Sequence, residues 1–182
     1  MEDYQLGLII ACVVAIFWIV RTYNKFIEYR NLIEETWSGI DVALKRRFNL
    51  LPNLVNAVKG YRKHEVEVLQ GLTAQRQGSE DLASRSAEES EISKSLTGLL
   101  AVAEEYPDLK ASENFLNLQT TLNQIEAEIK TVRDKFNRAV RSLNTLVEQF
   151  PSNIIARIFS FTRAEYFSLE LATQRSLPEV EF

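Results

Sequence analysis

"FLNLQTTLNQIEAEIKTVRDKFNRAVRSLNTLVEQF", Phe115 to Phe150, decides the fold class. Apolar residues recur at Phe115, Leu118, Leu122, Ile125, Ile129, Val132, Phe136, Ala139, Leu143, Leu146 and Phe150, in alternating steps of three and four. An α-helix places such a series on one face, and its persistence over five heptads makes it coiled-coil-like. Glu126, Glu128, Lys130, Arg133, Lys135 and Arg138 fall between the seam positions and read as a solvated rim. Pro151 stops the run, because its ring and missing N–H do not suit a helix interior. A helix about 54 Å long, at 1.5 Å per residue, must bury this stripe on a rod upstream, over residues 30–76, or on a second copy of itself.

That upstream rod carries Trp37, Ile40, Leu44, Phe48, Leu51, Val55 and Val58 at helical spacing. Within it, "KRRFNLLPNLVNAVKGYRKHE", Lys45 to Glu65, sets Pro52 in an otherwise continuous apolar stripe. A proline costs about 3 kcal/mol in a helix interior. The stripe nevertheless keeps its phase past Pro52, which predicts either a kink within one long rod or a helix that starts with Pro52 at its first position. Lys45, Arg46 and Arg47 are expected to face solvent, or an acidic patch on a partner. With Pro52, Asn53, Tyr61 and His64 they make a candidate structural joint or interaction site.

"QGSEDLASRSAEES", Gln77 to Ser90, is polar and reads as an exposed loop or a frayed hairpin tip. A helix through Leu96, Leu99, Leu100, Val102 and Ala103 follows. It must end near Tyr106, because the residue before Pro107 is pushed out of the α region, and a tight corner is expected there. After Pro151 a short helix is expected over Ile154 to Phe159. Phe159, Phe161, Tyr166, Phe167 and Phe182 then form an aromatic tail, read as packing against the bundle, with an interaction motif as the alternative.

At the other end, "YQLGLIIACVVAIFWIV", Tyr4 to Val20, carries no charge. As a helix it covers about 25 Å, close to the hydrocarbon thickness of roughly 30 Å. A transmembrane anchor is expected rather than a cleaved signal peptide, since the chain begins Met1, Glu2, Asp3 and lacks the basic start of a leader. Cys12 loosely resembles a lipoprotein acceptor, but most of the apolar run follows it, so an inert thiol is the default. Arg21, Lys25 and Arg30 follow the span, which predicts an outward N-terminus and a cytoplasmic bulk. The domain reading is a tail over 1–3, a span over 4–20, a bundle over 21–158 with a polar loop at 77–90, and an aromatic tail over 159–182.

The rest of the composition narrows function mainly by exclusion. The 182 residues are 46% hydrophobic with six glycines and four prolines, which suits one all-α domain behind the anchor. A net charge of -4 offers no attraction for nucleic acid, and no nucleic-acid-reading motif is present. One cysteine excludes an intrachain disulfide framework. "HEVEV" at His64 lacks the second histidine of a zinc-binding helix, and neighbouring carboxylates such as Glu126 and Glu128 do not share a helical face. No enzyme activity, metal or cofactor is expected.

Four blocks, "IDVALKRRFNLLPNLVNAVKGYRKHE", "LLAVAEEYPDLKASENFLNLQTTL", "FPSNIIARIFSF" and the terminal "LPEVEF", match blocks of a known family in order and spacing. The chain resembles the LemA family over nearly its whole length. Its departures are Ala43 for glutamine, Asn49 for aspartate, Ser112 for asparagine and Ser160 for glycine, the last bearing on whether a tight turn follows Phe159. The resemblance implies a bacterial membrane protein with one N-terminal span and an elongated antiparallel bundle of long helices. Genes for family members often accompany membrane metalloproteases or TPM-domain proteins, and one branch belongs to magnetosome membranes.

The expected function is therefore a non-catalytic scaffold at the bacterial inner membrane that self-associates as a homo-oligomer or recruits a membrane protein. The alternatives are a sensor or adaptor holding a peptide or other ligand near Pro52 and Pro107, and a regulator of a membrane protease.

Overall fold

A computed structural model describes residues 2–59 and 82–167, and every regular element among them is helical. Helix α1 runs over Glu2–Lys59, α2 over Leu82–Glu104, α3 over Pro107–Lys110, α4 over Glu113–Glu148 and α5 over Ser152–Ile158. The chain forms two compact units, and α1 and α4 contribute to both. The first comprises Met1–Gly39 with Val132–Tyr166, and the second Ile40–Thr131 with Phe167–Phe182.

The first unit holds the apolar end of α1. From Tyr4 to Val20 its large apolar side chains are all exposed, and this part of α1 is long and apolar enough to cross a membrane. Burial begins directly afterwards, with Thr22 and Phe26. Phe26, Leu143, Ile155 and Ala156 form a core in which Ile33, Leu146, Val147 and Phe161 are partly buried. Farther along, Trp37 meets Phe136 with ring centroids 5.8 Å apart, so α1 and α4 run antiparallel here. Asn144 clasps the segment after α5. Its Nδ2 donates to the Ala164 carbonyl at 3.0 Å, and its Oδ1 accepts from the Ala164 N–H at 2.9 Å.

The turn leaving α5 explains how residues 159–166 come back onto the unit. Ser160 has φ 56°, the left-handed conformation that favours glycine. The Phe161 N–H reaches the Ala156 carbonyl at 2.9 Å and the Ser160 N–H the Arg157 carbonyl at 3.4 Å, the paired bonds of a Schellman stop. The tight turn expected of a glycine is thus made by a serine. Phe161 then stacks on Phe26, ring centroids 4.5 Å apart, so residues read as the start of a tail are part of this unit's core.

The second unit is built on Leu51, Leu54, Val55 and Val58 of α1, Leu96, Leu99 and Ala103 of α2, Leu109 of α3, and Phe115 and Leu122 of α4. The heptad seam is therefore covered here by the chain's own helices. Pro107 takes the first position of α3, after an extended Tyr106, which makes the expected corner. Ser112 opens α4 as a cap, its Oγ accepting the Phe115 N–H at 3.3 Å.

Of the two alternatives for Pro52, one continuous rod holds, since it lies exposed inside α1 and neither starts nor ends a helix. Two readings from the sequence change. Residues 82–90 of the expected polar loop belong to α2, while 77–81 lie outside the described residues. Phe150 is 75% exposed because α4 ends at Glu148, so it is not the last seam residue.

Candidate functional site

The basic triplet on α1 divides by position. Lys45 is exposed, and Arg46 lies at the surface with its Nη1 2.6 Å from Glu128 Oε2. Arg47 turns inward and is only 2% exposed. Its Nη2 is in direct contact with the Glu89 carboxylate of α2. Its Nη1 donates to Glu126 Oε1 of α4 at 2.9 Å and reaches Ser93 Oγ of α2 at 3.3 Å. Ser93 Oγ donates in turn to the Glu89 carbonyl at 2.8 Å.

A solvated triplet was therefore the wrong expectation for Arg47, and Glu126 and Glu128 are ion-pair partners rather than simple solubilising charges. The guanidinium contacts two carboxylates at once, and its charge offsets part of the penalty that a buried Glu89 would otherwise carry. One side chain thus ties three helices of the second unit together. Glu89 has no local signature, lying 42 residues from Arg47 in a stretch rich in serine and glutamate.

Nearby in the same unit, Asn53, Asn56, Ala57, Asn114 and Leu118 line an open groove of about 350 Å³. Its three carboxamides each carry donors and an acceptor, beside apolar surface from Ala57 and Leu118. Asn53 belongs to this lining, whereas Pro52 and Pro107 are exposed and do not line it. Tyr61, His64 and Phe182 lie outside the described residues. Phe159 packs edge-on against Tyr23 with centroids 4.8 Å apart, in the first unit with Phe161. Among the described residues no group of three or more His, Cys, Asp or Glu side chains is placed to hold a metal ion.

The LemA family model matches residues 36–182, which includes the basic triplet, the three-helix ion-pair node and the asparagine groove. The chain belongs to the LemA family. Among its relatives, magnetosome protein MamQ 2 of Paramagnetospirillum magneticum is 24% identical over 87% of this chain and 69% of its own length. Magnetosome protein MamQ of Magnetospirillum gryphiswaldense is 23% identical over the same shares. Protein LemA of Metamycoplasma hominis is 26% identical over 86% of this chain and 74% of its own length. The family match begins after the apolar end of α1, so the LemA region proper is the part of the chain that follows residue 35.

Proposed function

We propose that this LemA protein is a non-catalytic scaffold, anchored in the inner membrane by residues 4–20, that presents a helical bundle on the cytoplasmic side to recruit membrane-protein partners. The observation that carries this reading is the break in burial along α1. Every large apolar residue from Tyr4 to Val20 is exposed, and Phe26, about 1.7 turns later, is fully buried. A face of that kind is stable in lipid and costly in water, at about 25 cal/mol for each Å² of apolar surface. The similarity to magnetosome proteins supports a role attached to membranes.

The covered heptad seam changes how self-association would work. Phe115 and Leu122 are already buried within the chain, so copies would meet through other surfaces. In-cell crosslinking with mass spectrometry tests the scaffold reading. Membrane-protein neighbours recovered with this chain support it, and a strictly monomeric, neighbour-free protein refutes it.

A second reading is favoured by the asparagine groove, which suits a peptide or another ligand rich in amides. Replacing Asn53 and Asn56 by alanine should then weaken ligand or peptide capture without unfolding the second unit. Unchanged binding would remove the groove from consideration.

A further inference from the structure

The exposed apolar surface of the first unit does not end with the span. Phe150 is 75% exposed, Ile154 48%, Ile158 66% and Phe159 49%. Ile154 and Ile158 stand one turn apart on α5, opposite the buried Ile155 and Ala156. A seven-residue helix thus uses one face for the core around Phe26 and leaves the other face apolar and open.

Its level along α1 can be fixed twice. Trp37 packs on Phe136, and Phe26 shares its core with Leu143, Leu146 and Val147, so α4 returns towards the apolar end of α1 almost residue for residue. Extending that register to Glu148, the last residue of α4, places the end of the helix near Lys25. Independently, Phe159 packs on Tyr23 itself. Tyr23 follows Val20 by three residues, which is about 5 Å of helix rise. Phe159, at the end of α5, therefore lies about 5 Å of helix rise from the last exposed apolar residue of the span, and Ile155 and Ala156 of α5 lie at the level of Phe26. Arg157 is exposed on α5 itself, and Arg21 and Lys25 are exposed on α1 just past the span, Arg21 lying over the Phe17 ring at 5.7 Å, while Arg163 is bound to Glu148 at 2.9 Å.

We infer that α5, with Phe150 and Phe159 beside it, is a membrane foot whose Ile154 and Ile158 lie in the lipid interface next to the span. Aromatic and aliphatic side chains with flanking cations are the chemistry of an in-plane interfacial helix. The cations would favour anionic lipid. This rests on the reading of residues 4–20 as a span. The foot would fix the rotation of α1 in the bilayer and the orientation of the first unit, which a single span cannot do alone.

The test uses the full chain, with Cys12→Ala, in vesicles of zwitterionic and anionic phospholipid brominated high on the acyl chains. A fluorophore is attached to one introduced cysteine at a time, by Val14→Cys, Ile154→Cys, Ile158→Cys or Arg141→Cys. Strong quenching at 14, 154 and 158, with none at the exposed Arg141 position, is expected. Quenching at 14 alone overturns the foot and leaves the span standing, and no quenching at 14 overturns the span itself. Crosslinks between copies through 158 without lipid quenching also overturn the foot. In the Ile154→Cys protein, a further Ile158→Asp change should reduce quenching at 154 at least twofold. The same change should leave quenching at 14 intact in the Val14→Cys protein, and an unchanged signal at 154 contradicts the inference.

Discussion

The guanidinium of Arg47 and the carboxylate of Glu89 meet inside the second unit, their side chains 3% and 7% exposed, with Glu126 as a more exposed second acceptor. Removing one member of a buried pair strands the other. Arg47→Ala is expected to destabilise the folded chain by about 3–5 kcal/mol, measured by urea unfolding in a fixed detergent. Replacing both residues with apolar side chains of similar volume, Arg47→Met with Glu89→Leu, should recover much of that loss. A double change as damaging as the single one would show that the pair is not the source of the effect.

Arg46→Ala provides the contrast. Its bond to Glu128 joins two substantially exposed side chains, 57% and 40% exposed, and such pairs are worth about 1 kcal/mol or less. The same unfolding measurement should separate the two neighbouring arginines clearly.

Ser160→Gly should stabilise the first unit by roughly 1–2 kcal/mol, because it removes the penalty of a side chain in the left-handed region while keeping the turn's hydrogen bonds. The check is the midpoint of thermal unfolding, with Ser160→Val moving it in the opposite direction.

Gly98→Ala should stabilise α2 by about 0.8–1 kcal/mol. Gly98 lies inside the helix, and an added Cβ meets nothing within 4 Å. Ser112→Ala should cost about 1 kcal/mol by removing the cap on α4. Opposite shifts in the same thermal assay would bear out both assignments.

The helical class, the corner at Pro107 and the long α4 were legible because each follows from local rules of period and backbone stericity. The phase of the stripe through Pro52 also pointed to one rod, and α1 does continue there. What local rules could not show was which polar residues turn inward. Arg47 and Glu89 are buried only because each supplies the other's charge, and Asn144 only because Ala164 returns to it across 20 residues. Leu54 was missed for a simpler reason: the buried face of α1 is wider than a heptad seam. Phe150 fitted the periodicity but lies past the end of α4, where the helix that would have oriented it has stopped.

The measurement that tests membrane anchoring most directly is the intact mass of the 182-residue chain recovered from alkaline-washed bacterial membranes. Recovery in the membrane pellet at the uncleaved mass of 20.9 kDa is predicted. Release into the wash, or a shorter product lacking the apolar N-terminal segment, would contradict it.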